Sequence, residues 1–173
     1  MNCLTKHATS RMNGFLGCAV DEALRDSGLP IEFPDRKLST GVSIGCMSSN
    51  TTRLTEILEE AGPNGQERIN RLTMMHILSN IPAATISIRY GLQGPSGCVS
   101  TACATGLSAV IDAYRWIRDG EADAAVAGGV EDVYNSTCLH SSIRLQAMTT
   151  KQYQSPSEAS RPFDEDRSGF VLG

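Results

Sequence analysis

Residues 96–120 read S-G-C-V-S-T-A-C-A-T-G-L-S-A-V-I-D-A-Y-R-W-I-R-D-G, and their reading decides the fold. The first part, C-V-S-T at 98–101, is short, apolar and β-branched, as a strand would be. The last part is helical: Leu107, Val110, Ile111, Tyr114 and Ile117 recur on one stripe with a period of about 3.6 residues. Between the two, T-A-C-A-T-G at 101–106 supplies small residues that let a strand bend sharply into a helix and leave room above the bend. Cys103 is therefore predicted at or beside a helix N-terminus.

A helix start gathers unpaired N–H groups and the positive end of the helix dipole, which together favour an anion by about 0.3–2 kcal/mol. A thiol held there is suited to nucleophilic work. A free cysteine is equally at home in an apolar core, so position alone leaves both readings open.

Composition narrows the class. The chain has 173 residues, enough for one core, with 40% hydrophobic and 20% charged residues, ordinary for a globular protein. A formal charge of −4 lacks the basic stripe that nucleic acid demands. Aromatics make up 5% while glycine is plentiful, which suits close-packed α/β layers better than a base-stacking surface. The six cysteines, at 3, 18, 46, 98, 103 and 138, form no C-x-x-C pair and follow no signal peptide, so free thiols are expected. Neither Cys98 with Cys103 nor Cys138 with His140 has a zinc-site spacing. The sequons at Asn50 and Asn135 read as chance matches. No apolar run approaches the ~20 residues of a membrane span.

Elsewhere the pattern is of alternating helices and strands. Leu16, Ala19, Val20, Ala23 and Leu24 make one helical face over 10–27, with Ser10 as a cap and Gly28 as a stop. Lys6 and Arg11, with no acid before Asp21, raise the thought of a mitochondrial presequence, a reading weakened by the resemblance of S-R-M-N-G-F-L-G-C-A-V-D-E-A-L-R-D-S-G at 10–28 to an internal helix of a known enzyme family. Pro30 and Pro34 mark a linker, G-V-S-I-G at 41–45 a buried strand, and Leu54, Ile57, Leu58 and Ala61 a short helix ended by G-P-N-G. Residues 68–81 suit a loop and helix, with Met74 and Met75 in the core and His76 a polar neighbour of it. Residues 82–90 start helical and then alternate at Ile86 and Ile88. A-D-A-A-V-A-G-G-V at 122–130 reads as a buried strand, so strand, helix and strand imply parallel neighbours. Gly128 and Gly129 lack the G-x-G-x-x-G context and are read as close packing under the cysteine turn. Glu131 and Asp132 read as a solvated loop, residues 133–148 show no clean stripe, and 151–160 is a surface loop.

The run V-S-T-A-C-A-T-G, with its helix and D-G-E-A-D-A-A-V-A-G-G-V-E-D, closely resembles the active-site segment of β-ketoacyl-[acyl carrier protein] synthases, the elongating condensing enzymes of fatty acid synthesis. S-I-R-Y-G-L-Q-G-P-S-G at 87–97 and S-R-P-F-D-E-D-R-S-G-F-V-L-G at 160–173 are similar to further blocks of that family, in the same order. The resemblance implies an α/β chain with the thiolase-like layered α/β/α fold and a mostly parallel mixed sheet. It makes residues 1–173 a partial N-terminal domain, without the first strand and the C-terminal half. By the same resemblance, Cys103 carries the acyl chain as a thioester, its backbone N–H is an oxyanion donor, and residues 68–81 contribute to an acyl tunnel and a dimer contact.

The family's second step, decarboxylation of a malonyl group and condensation, uses two histidines in H-G-T and G-H-x-x-G contexts. His7, His76 and His140 have neither context. The chain alone is therefore expected to accept an acyl group without condensing it. The resemblance implies no cofactor and no metal. Its partners would be acyl carrier protein bearing acyl and malonyl groups, and a second subunit in a full-length homodimer, with no nucleic acid and no membrane span. It places the protein in the cytoplasm of a bacterium or in a mitochondrion or plastid, not outside the cell. A hydrolase elbow, G-x-S-x-G, would need glycines where Thr101 and Thr105 stand. A thiolase, a polyketide ketosynthase and a non-catalytic partner subunit share the architecture. The last usually lacks the cysteine present here, and T-A-C-A-T-G with S-R-P-F-D sits nearer the fatty acid branch.

Overall fold

A computed structural model describes residues 10–29, 39–48, 50–63, 65, 69–71 and 73–172. Lys6, His7 and the linker prolines Pro30 and Pro34 lie outside these. The chain divides into two compact units, one ending at Asp132 and one beginning at Val133.

The first unit is built on strand β1 (Thr40–Gly45), every residue of which is buried. Its side chains alternate between large and small, so the two faces of the sheet differ. Val42 and Ile44 point into an apolar cluster with Leu16 and Val20 of helix α1 (Arg11–Ser27), Ala83 and Ile86 of helix α4 (Ile81–Tyr90), and Leu92. Burying a side chain such as Ile44 or Ile86 contributes about 1.5–3 kcal/mol. Ser10 caps α1 by accepting the Asn13 N–H at 3.3 Å, and Gly28 ends it in the left-handed region, φ 63°. The buried face of α1 runs through Met12, Leu16 and Val20, whereas Ala19 and Ala23, expected on it, are exposed. Helices α2 (Thr51–Ala61) and α3 (Thr73–Ile77) pack on each other beside this layer.

β1 pairs with strand β2 (Ser96–Gly97) on one side and with strand β3 (Ala124–Gly129) on the other, in the order β2-β1-β3, all parallel among the described residues. Val42 stands opposite Ser96, and the β1–β3 register runs from Thr40 opposite Ala124 to Gly45 opposite Gly129. The flanking strands are thus parallel, as their order in sequence suggests, but an earlier strand lies between them. The strand read at 98–101 in fact ends at Gly97; only the bond from Cys46 N–H to Val99 O, 3.2 Å, extends the pairing. β3 is only partly buried because it lies at one side of this sheet.

The opposite face is covered by helix α5 (Thr105–Arg118). Its buried positions are Thr105, Ala109 and Ala113, one stripe four residues apart. A Cβ added to Gly41 would meet the Trp116 ring at 3.2 Å, so the indole packs against a strand that has no side chain there. Small residues on both partners bring helix and sheet backbones together. The large apolar stripe of α5 faces the other way: Leu107 is 65% and Tyr114 62% exposed in this unit. The helix is where the sequence pattern puts it, yet its floor-facing side is the small-residue side.

Two further readings are corrected. Residues 81–90 are helical throughout, since Ile86 is fully buried while Ile88 is exposed, a difference of orientation around a helix and not across a strand. Met74 and Met75 are exposed, because α3 is a single short turn whose inward position is taken by Thr73.

In the second unit, residues 133–148 contain helix α6 (Ser136–Arg144), capped by Asn135, whose Oδ1 accepts the Cys138 N–H at 2.9 Å. The cap, not an apolar stripe, was the readable signal. Past it, Met148 and Phe170 form an isolated parallel bridge, and Tyr153 has Lys151 and Arg161 each 5.5 Å from its ring centroid.

Candidate active site

The site begins where β1 and β3 end together. Gly45 and Gly129 are paired at the last register of the sheet, and the start of α5 sits directly on them. A Cβ at Gly45 would come within 2.7 Å of the Thr105 carbonyl oxygen, and one at Gly129 within 3.1 Å of the Gly106 Cα. These are three backbones in mutual contact, the close packing expected of Gly129 beneath the cysteine turn.

The segment that joins β2 to α5 closes in a 3-10 turn at Ala102–Ala104. Ala104 N–H donates to Thr101 O at 3.1 Å, and Thr105 N–H donates to Ala102 O. The N–H of Cys103 takes part in neither bond. Ala102 lies at φ 51°, a left-handed conformation that costs an L-residue with a Cβ about 1–2 kcal/mol. The turn is bound from within by Thr105, whose hydroxyl accepts the Thr101 N–H at 2.8 Å and donates to Ala102 O at 2.6 Å. The Thr101 and Ser108 hydroxyls meet at 2.7 Å above it.

Cys103 sits in this turn two positions before the first residue of α5, exposed, and lines a cavity of about 360 Å³. Ala102, Thr105 and Gly106 of the turn and helix start, Gly45 and Met47, and Gly129, Val130 and Glu131 line it with Cys103. The larger depression in the unit, about 690 Å³, runs along α1 past Ala19 and Glu22 and has no cysteine among the described residues that line it. Among the other described cysteines, Cys46 is buried 3.9 Å from the Met12 sulfur. Cys98 donates its thiol to Ser79 O at 2.9 Å, and burial pushes its pKa above the ordinary thiol value. The bend, the helix start and the open space above Cys103 are thus all where the sequence places them.

Glu131 and Asp132 are not a solvated pair. Glu131 reaches across the strand ends and accepts the N–H groups of Met47 at 2.9 Å and Ser48 at 3.2 Å, as well as the Ser48 hydroxyl. Asp132 is 2% exposed and receives Arg11 through two bonds, Nε at 3.0 Å and Nη2 at 2.6 Å, while its carbonyl accepts the Thr52 hydroxyl at 2.7 Å. Both carboxylates hold the strand-end loop under the site. Replacing Asp132 by alanine is expected to lower stability by about 1–2 kcal/mol, the value of a charge-assisted pair whose arginine is half in water. The urea midpoint reads this, with Glu56→Ala, which breaks the exposed pair to Arg53, moving it by less than about 0.5 kcal/mol.

His76 is half-buried in α3, where its backbone carbonyl accepts the Asn50 side chain at 3.1 Å; it does not line the Cys103 cavity. Burial first and Arg53 second hold its pKa below the usual histidine value, which favours the neutral ring. His140, in the second unit, has its Nδ1 2.7 Å from Ser136 O, a contact within its own helix. Among the described residues no group of three or more His, Cys, Asp or Glu side chains is placed to hold a metal, and no helix is long and apolar enough to cross a membrane.

Solved structures of thiolase-like ketosynthases superpose on the chain. One, a type II polyketide ketosynthase in complex with its acyl carrier protein and bound to the hexaketide, matches 95% of this chain and 41% of its own at TM-score 0.85 and 25% identity. A beta-ketoacyl synthase from Burkholderia phymatum does so over 95% of this chain and 40% of its own at TM-score 0.76, also at 25% identity. Residues 5–173 match the family described as "Beta-ketoacyl synthase, N-terminal domain". The chain belongs to the β-ketoacyl synthase family. The mitochondrial 3-oxoacyl-[acyl-carrier-protein] synthase of Arabidopsis thaliana is 42% identical over 98% of this chain, and 3-oxoacyl-[acyl-carrier-protein] synthase 2 of Rhizobium meliloti 38% identical over 90%. The chain spans 37% of the length of each of these two relatives.

Proposed function

We propose that this chain is the acyl-accepting part of a 3-oxoacyl-[acyl carrier protein] synthase of fatty acid synthesis, with Cys103 as the nucleophile. The observation that carries the reading is the exposed thiol at the turn before α5, beside an open cavity and above a floor of glycine. The sulfur attacks the carbonyl of an acyl group held on acyl carrier protein as a thioester. The bond from carbonyl carbon to carrier sulfur breaks, the carrier thiol leaves with the proton, and the acyl group remains on Cys103. This divides one difficult condensation into two easier steps. The Cys103 N–H, uncommitted to the turn bonds, donates to the carbonyl oxygen as negative charge develops on it; loss of such a donor typically costs about 10²–10³ in rate.

In the second step malonyl-acyl carrier protein loses carbon dioxide, and the resulting carbanion displaces Cys103 from the acyl carbon. Neither His76 nor His140 is assigned to that step, since neither stands in an H-G-T or G-H-x-x-G context. The partners are acyl carrier protein and a second subunit. Identity supports the fatty acid branch over a polyketide one, at 42% to the plant mitochondrial synthase against 25% to the polyketide ketosynthase.

The reading is tested by brief alkylation with iodoacetamide and peptide mapping. Cys103 is expected to be modified at least about tenfold faster than Cys46 and Cys98, which are buried or hydrogen-bonded. Preincubation with an acylated carrier protein is expected to protect Cys103 alone. Uniform labelling without protection would remove the assignment.

A further inference from the structure

We propose that Thr105 is a positioning residue for Cys103, fixing the direction in which thiol and N–H face the acyl group; this rests on the nucleophile reading above. Thr105 is 6% exposed, and its hydroxyl is the one side-chain group among the described residues that spans the turn to both Thr101 N–H and Ala102 O. The residue so held on the near side of Cys103 is Ala102, the one with φ 51°. A left-handed alanine relaxes unless its neighbours fix it, and relaxation there rotates the next peptide, which carries the Cys103 N–H.

The rotamer of Thr105 is itself fixed. A β-branched side chain at a helix start has few χ1 wells, and its carbonyl and methyl lie where a Gly45 side chain would be. The methyl rests on the end of β1 while the hydroxyl reaches back into the turn. The sheet thereby sets the angle of the nucleophile through a single side chain.

The consequence separates geometry from binding. Thr105 lines the same cavity as Cys103, but its hydroxyl makes both of its bonds to the turn, so its loss should lower the rate of acyl transfer at saturation and leave the half-saturating carrier concentration alone. Thr105→Val keeps the shape and gives up both bonds, leaving Thr101 N–H and Ala102 O without them. Thr105→Ser keeps both bonds.

The test is single-turnover acylation of the complete polypeptide by an acyl carrier protein donor, counted by intact mass per folded molecule. For Thr105→Val the saturating rate constant is expected to fall about 10- to 100-fold with the half-saturation point within about twofold, and Thr105→Ser is expected within about threefold of wild type. Should Thr105→Val fail to fold, Thr105→Ala, which gives up the same bonds without a second methyl, is measured in its place. A wild-type rate per folded molecule in the bond-deleting variant, or an equal loss in Thr105→Ser, overturns the inference. A wild-type protein that takes no acyl group on Cys103 overturns the nucleophile reading itself, and the two failures are told apart by that control.

Discussion

A Cys103→Ala variant is expected to take up no acyl group, its acyl loading falling by about 10⁴-fold or more, with its melting temperature within about 1 °C of wild type. The two halves of this expectation come from different observations. Activity falls because the covalent intermediate has nowhere to form: Cys103 alone among the described cysteines lines the cavity at the strand ends. Stability holds because the sulfur is exposed and the hydrogen bonds that close the turn come from Ala104, Thr105 and Thr101, not from the thiol. Removing an exposed atom leaves no cavity to destabilise the core. Intact-mass analysis after mixing with acylated carrier protein decides the first half, and a thermal melt the second. Acyl loading that persists in the variant would move the chemistry to another thiol. A large loss of stability would make Cys103 a structural residue.

How much of this was legible in the sequence depended on which physical signal carried each feature. Backbone signals read well. Ser10 and Gly28 bound α1, Gly62 ends α2, and the glycines at 45 and 129 mark where strands stop and a helix comes down on them. The Cys103 turn read well for the same reason, since T-A-C-A-T-G admits little except a tight bend. Side-chain direction read badly. The pattern of α5 gives an apolar stripe, but a stripe of alanine and threonine packs closer to a glycine-rich sheet than one of leucine and isoleucine, and close approach wins the sheet face. Charged loops read badly too, because the partners of Asp132 and Glu131 come from 121 and 84 positions away in the chain. Thr105 was hidden inside its motif: its role lies in two hydrogen bonds to its own turn, and no periodicity announces them.

The glycine floor carries the second large expectation, graded by position. Gly45→Ala would set a methyl 2.7 Å from the Thr105 carbonyl oxygen, Gly129→Ala one 3.1 Å from the Gly106 Cα, and Gly128→Ala one with nothing within 4 Å. Glycine to alanine inside a strand is by itself favourable by about 0.5–1 kcal/mol, so a loss at Gly45 has to come from contact. That contact is with backbone, which cannot rotate aside, and overpacking of this kind costs about 1–3 kcal/mol. The expected order is a melting temperature lowered by about 3–10 °C for Gly45→Ala, less for Gly129→Ala, and unchanged or slightly raised for Gly128→Ala. Acyl loading of Cys103 should follow the same order more steeply, since the group displaced is the residue that braces the nucleophile turn and about 1 Å of misplacement can cost about 10²-fold. Equal behaviour of all three variants would mean that the turn does not rest on the ends of the strands. Loading lost at Gly128 alone would place the acyl chain on the other side of the sheet.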